Sequence, residues 1–119
     1  MDVAVEPVVD DRNEVVLRGR VSQDPERREL PSGDEVWVFR LVVRRDQAAR
    51  GVRRTTVDAL ECAAFAARPR RSVAGWSAGD VVEVEGALRR RFYRGAGGAA
   101  SVTEVEVARG RVIRRAASA

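Results

Sequence analysis

The chain predicts an all-β fold of five strands, with one short helical segment between the third and the fourth. Three observations carry this. Apolar and polar residues alternate along several runs, the period of half-buried strands. Turn-forming groups separate those runs: Asp24-Pro25, Pro31 to Asp34, and Gly79-Asp80, where Pro fixes φ and Gly supplies positive φ. Only one stretch, 62–74, has the alanine content of a helix.

Residues 1–12 read as an acidic flexible arm, holding Asp2, Glu6, Asp10 and Asp11. The first strand covers about 14–22, with Val15, Leu17 and Val21 inward and Arg18 and Arg20 outward. The second covers about 35–45. It places Trp37, Phe39 and Leu41 on the core side and Arg40 and Arg44 on the other. A polar loop with Gly51 at its centre, carrying Arg53 and Arg54, makes this a long hairpin. The third strand covers about 55–62, its alternation broken by Asp58 and Glu61. In the helical stretch, Pro69 either breaks the helix or confines it to two short turns. Trp76 in the following turn caps the barrel.

The fourth strand alternates Val82, Val84, Gly86 and Leu88 with Glu83, Glu85 and Arg89, one face buried and one wet. The basic run from Arg89 to Arg94 carries it outward to a flexible Gly-rich tip, 95–100. The fifth returns over 101–109 and on through Val112 and Ile113. Gly19 and Gly86, inside strands, suit the close bends of a small barrel. This order of elements is that of an OB-fold, a partly open five-stranded Greek-key barrel. It occupies 13–113, and 114–119 form a short tail.

At 119 residues the chain holds one core. No apolar run approaches the roughly 18–20 residues that span a bilayer, and the acidic start does not read as a secretory signal. Cys62 is the only cysteine and histidine is absent. A disulfide within the chain, a Cys-based metal site and the commonest general base are thereby excluded. No Gly-x-Ser-x-Gly elbow and no phosphate-cradling Lys-Ser/Thr loop occurs. The expectation is a cytoplasmic, non-enzymatic protein with no cofactor and no membrane association. All 22 basic residues are arginines, and they all lie outside the acidic stretch 2–11. Arginine bias in the coding sequence accounts for the choice. Its consequence is a planar fork that pairs bidentately with phosphate and stacks on bases.

The ordered motifs resemble the bacterial single-stranded DNA-binding protein family. They are Asn13-x-Val15-x-Leu17-x-Gly19-x-Val21, Gln23-Asp24-Pro25-Glu26, Pro31-x-Gly33, Phe39-Arg40-Leu41 and Cys62 with Phe65. Further on come Gly79-Asp80-x-Val82-x-Val84-x-Gly86-x-Leu88-x-x-Arg91-Phe92 and the run Thr103 to Val107. The resemblance covers 13–109. It implies sequence-tolerant binding of single-stranded DNA in replication, repair or recombination, by a homo-oligomer (tetramer or dimer). It also implies recognition by aromatic stacking, with Phe65 and Phe92 at two stacking positions, while Arg44, Arg45, Gln47 and Ala59 stand where others are expected. The family's acidic, Phe-ended tip does not match Arg114 to Ala119. The resemblance is therefore to a short paralogue, and recruitment of partners through a tail is not carried over.

The candidate phosphate contacts are Arg18, Arg20, Arg40, Arg44, Arg53, Arg54, Arg89 and Arg91. Phe92 and Tyr93, between the arginine run and the Gly-rich tip, are candidate stacking residues. Phe65, among Ala63, Ala64 and Ala66, either stacks or packs. Counting by two puts Phe92 on the Leu88 face and Tyr93 on the opposite one, unless a bulge swaps them. Arg68, Arg70 and Arg71 read as plain surface. The alternative function is an OB-fold assembly or adaptor module with little nucleic-acid binding. RNA stays open, because nothing in the sequence discriminates against a 2′-hydroxyl.

Overall fold

A computed structural model of the chain describes residues 10–46 and 56–117. Its elements are β1 (Val15–Val21), β2 (Glu26–Glu29), β3 (Glu35–Arg44), β4 (Val57–Ala64), α1 (Ala67–Ala74), β5 (Val81–Gly95) and β6 (Gly98–Arg114). Five of the strands close a barrel. β1 pairs antiparallel with β5, β5 with β6, and β3 with both β4 and β1, while β6 meets β4 in parallel at Cys62↔Val105. This is the expected all-β barrel. The sixth strand, β2, lies in a stretch that reads as turn in the sequence. It pairs with the first half of β3, whose second half is taken by β1. Asp24-Pro25 breaks the chain between β1 and β2, so the two follow one another along one edge of β3. With β2 counted, the helix falls between β4 and β5.

The inward residues follow the predicted alternation up to Leu88, which was expected on the buried face but is exposed where β5 leaves the barrel. Val21, Leu41, Val73, Val82 and Val84 are fully buried, and Trp37 packs against them from the rim. Trp76 closes one end of the core with its ring edge-on to Phe39, the centroids 5.3 Å apart. That geometry adds about 0.5–1.5 kcal/mol beyond area burial. At Gly19 and Gly86 a β-carbon would overlap the Val42 and Glu106 carbonyls respectively. The register shift at Glu85/Gly86 sits at that close approach.

The helix corrects the sequence reading. Residues 62–64 complete β4, and α1 is one uninterrupted eight-residue helix. Pro69 is its third residue, in the first turn, where its missing N–H leaves no intrahelical bond unmade. The Gly-rich tip is also more regular than expected. Pairing runs through Gly95↔Gly98, and only Ala96 and Gly97 turn.

Asp80 fastens the end of the fold. Its buried carboxylate accepts hydrogen bonds from the backbone N–H of Ala116 (2.8 Å) and Ser77 (2.9 Å) and from Arg115 Nη1 (3.1 Å). Burial pushes this carboxyl up, but the two N–H groups and the guanidinium outweigh it and hold it below the usual carboxylate value. Among the described residues no helix is long and apolar enough to cross a membrane.

Candidate nucleic-acid interface

The outward face of β3 presents Val38, Arg40, Val42 and Arg44. Across the ladder on β4 stand Ala63, Glu61, Ala59 and Val57. Two walls flank this sheet. One is β2, which contributes Arg28. The other is an arm made where β5 and β6 continue past the barrel, from Arg89↔Glu104 to Gly95↔Gly98.

Between the walls lies a cleft of about 460 Å³, lined by Arg28, Val38, Glu61, Cys62, Arg91, Tyr93, Val102 and Glu104. A second hollow of about 140 Å³ shares Arg28, Val38, Arg91 and Glu104 and extends to Leu30, Ala63 and Phe65. The two form one groove with Tyr93 toward one end, Phe65 toward the other and two arginines between. Arg40 and Glu61 border its flank together with Ser22, Gln23 and Asp24.

The groove arginines are already partnered. Arg40 meets Glu61 at 2.7 Å, Arg91 meets Glu104 at 3.2 Å, and Arg28 meets Glu26 at 3.2 Å. Glu104 is buried, and its placement on β6 aims Arg91 into the groove. The exposed pairs Arg40–Glu61 and Arg28–Glu26 contribute about 0–1 kcal/mol, so an incoming phosphate can displace those carboxylates at small cost, whereas Arg91 stays beside the buried Glu104.

The other predicted residues fall elsewhere. Arg20 and Arg44 border a shallow hollow with Arg18, Arg114, Gly19 and Val42. It adjoins the groove along the outward face of β3. Arg18 is tied to Glu83, which Arg111 grips from β6, both at 3.0 Å. Those two guanidiniums hold the Glu83 carboxyl below its usual value. Arg20, Arg44 and Arg114 carry no ion pair among the described residues. Arg89 pairs with Glu106 at 2.7 Å in a separate concavity beside Val15 and Val16. Both bulges of β5 precede Leu88, so the count by two holds along the arm. Tyr93 therefore faces the groove, and Phe92, 74% exposed, projects from the opposite face. Arg53 and Arg54 lie outside the described residues. Arg28 and Glu104 had escaped the sequence reading: the first stands in a charged run that reads as turn, and the second in a strand where glutamate reads as wet.

A family model, the single-strand binding protein family, matches residues 12–113. The chain belongs to that family. Among curated proteins it is similar to single-stranded DNA-binding protein 1 of Staphylococcus aureus, with 38% identity over 82 residues, 68% of this chain and 48% of the relative. Single-stranded DNA-binding protein 3 of Listeria innocua shows 35% identity over 84 residues, 70% of this chain and 51% of the relative. The chain thus spans about half the length of these relatives. Among solved structures, that of the Plasmodium falciparum SSB complex with ssDNA superposes with a TM-score of 0.69 at 21% identity, covering 91% of this chain and 98% of that one. The likeness is one of fold.

The single cysteine of the chain is chemically quiet. Burial, reinforced by Glu61 and Glu104, pushes the Cys62 thiol up to about 12, far from thiolate formation at neutral pH. Among the described residues no group of His, Cys, Asp or Glu is arranged to hold a metal ion. What the groove offers is flat aromatic surface and forked cationic donors, the chemistry of stacking and phosphate contact.

Proposed function

We propose that the chain binds single-stranded DNA in the β2–β3–β4 groove, with little sequence preference and no catalytic step. The observation that carries this is Phe65 and Tyr93 at the two ends of one groove, with Arg28 and Arg91 between them and Arg40 on its flank. Bases stack on the aromatics, which tolerates any sequence because every base has a π-face. Phosphates take Arg40 from Glu61 and Arg28 from Glu26, and meet Arg91 where it stands beside Glu104. Arg20, Arg44 and Arg114 extend the cationic path along β3. The curated relatives' names support the reading. Cytoplasmic protection of transient single strands in replication, repair or recombination, by a homo-oligomer, belongs to the same proposal; Val16, 65% exposed on β1, supports assembly.

The ion pairs that hold Arg28, Arg40 and Arg91 favour a second reading, an OB-fold adaptor whose charged face is already neutralised. Fluorescence anisotropy with a labelled dT oligomer, the matching rU oligomer and a duplex, each at two salt concentrations, separates these. Tighter binding of the single strand than the duplex is expected, weakening with a log–log slope of about −0.7 per phosphate neutralised. A folded sample that binds none of the three would leave the adaptor.

A further inference from the structure

The groove is cationic, yet a nearly buried carboxylate is built into its wall. Glu104 stands on β6 where that strand leaves the barrel, and its side chain is only 7% exposed. It borders both hollows of the groove, the one that reaches Tyr93 and the one that reaches Phe65. Its two oxygens are used differently. Oε1 accepts from Arg91 Nη2 at 3.2 Å, while Oε2 takes no hydrogen bond among the described residues. No polar side-chain atom of those residues is sealed away without a partner, so Oε2 opens onto the groove. Holding Arg91 accounts for one oxygen and leaves the other as a free acceptor.

We propose that Glu104 reads the edge of one base, favouring a base that carries an exocyclic amine, cytosine among the pyrimidines. The proposal rests on the single-strand reading above and adds a preference at one nucleotide to an otherwise sequence-tolerant path. Charge excludes the backbone as the partner of Oε2, because a carboxylate repels a phosphate. A base stacked on Phe65 lies in the hollow that Glu104 borders, and its edge carries the donors that suit a carboxylate. Cytosine presents its N4 amine, a recognised partner of glutamate, where thymine presents the O4 carbonyl. The amine donates to Oε2 while Oε1 keeps Arg91. A carbonyl in that place sets acceptor against acceptor and leaves both unmatched. Stacking makes no such distinction, since every base has a π-face.

The test uses the full chain and Glu104→Gln, with labelled dC and dU oligomers of about 6 nucleotides, a length that one OB-fold accommodates. The two share a ring size and both lack the thymine methyl, so they differ at the amine. The parent chain should bind dC about fivefold or more tightly than dU. Glu104→Gln offers a donor as well as an acceptor, and the two affinities should then come together. Glu104→Asp, which keeps the charge and retracts it by one methylene, is the second variant and should lose the preference too. Equal binding of dC and dU by the parent would overturn the proposal and leave the groove reading standing. A dC-to-dU ratio unchanged in the variants would overturn it as well, whatever the loss in overall affinity, and would leave Glu104 as a residue that only positions Arg91. If the parent chain bound neither oligomer, the single-strand reading itself would fall.

Discussion

The barrel and the arm use the same residue type in opposite ways. On the barrel, the register of neighbouring strands sets Arg18 and Arg111 against Glu83 and Arg40 against Glu61. On the outer face of the arm, Arg90 and Arg94 meet only Thr103 and Ala99 across the ladder. Net charge therefore says little about where an anion will settle. The register decides which arginines stand without a carboxylate and which must exchange one for a phosphate. The regions differ in tolerance as well: the barrel bends at glycines with no room for a β-carbon, and the arm turns at glycines in open space.

The largest expected effect contrasts two glycines. Gly86→Ala forces a β-carbon onto the Glu106 carbonyl and should cost about 3 kcal/mol. Gly97→Ala, with nothing near it, should stay within about 0.5 kcal/mol. Chemical denaturation of the two variants reads the difference, and similar losses would erase the contrast between barrel and arm. Next, Tyr93→Ala should weaken binding of a short dT oligomer by about 1–3 kcal/mol with an unchanged melting temperature.

Asp80→Asn should lose about 1–2 kcal/mol of stability at neutral pH, since an amide cannot accept from Ser77, Ala116 and Arg115 together. The sign follows from a folded pKa held below the ordinary 3.8. The carboxylate stabilises the fold above that value, and its contribution disappears as pH falls through the lower folded value. Parent and variant stabilities should accordingly converge in acid; a gap that widened there would contradict the clasp. The smallest effect sharpens the arginine comparison. Glu61→Gln frees Arg40 and should raise single-strand affinity up to about fivefold, the worth of an exposed pair.

Much of the barrel was legible in the sequence because a period of two has one physical cause, a sheet with one face buried. Val15, Leu17, Val21, Val82 and Val84 announce themselves that way, and Gly19 and Gly86 mark the close approaches. The extent of α1 was harder to read, because alanines suit both β4 and a helix, and Pro69 acts as a breaker only beyond the first turn. β2 was hidden for another reason: Glu26–Glu29 is a fully exposed edge strand of charged residues, so no alternation betrays it. The site was legible as residue types and less so as a surface. Arg91, Phe65 and Tyr93 do share a groove with Arg40 on its flank, yet the pairing of Arg40 and Arg91 with Glu61 and Glu104 depends on strand register, which local sequence does not encode. The division of Phe92 from Tyr93 rested on where the bulges fell.

The most direct test of the central claim, that the groove face of the arm holds the strand, is a pair of dissociation constants. A short labelled dT oligomer is titrated into Tyr93→Ala and, separately, into Phe92→Ala. Weakening by about fivefold or more in Tyr93→Ala with parent-like binding in Phe92→Ala is the predicted result. The reverse ranking would contradict it and move the primary path to the outer face.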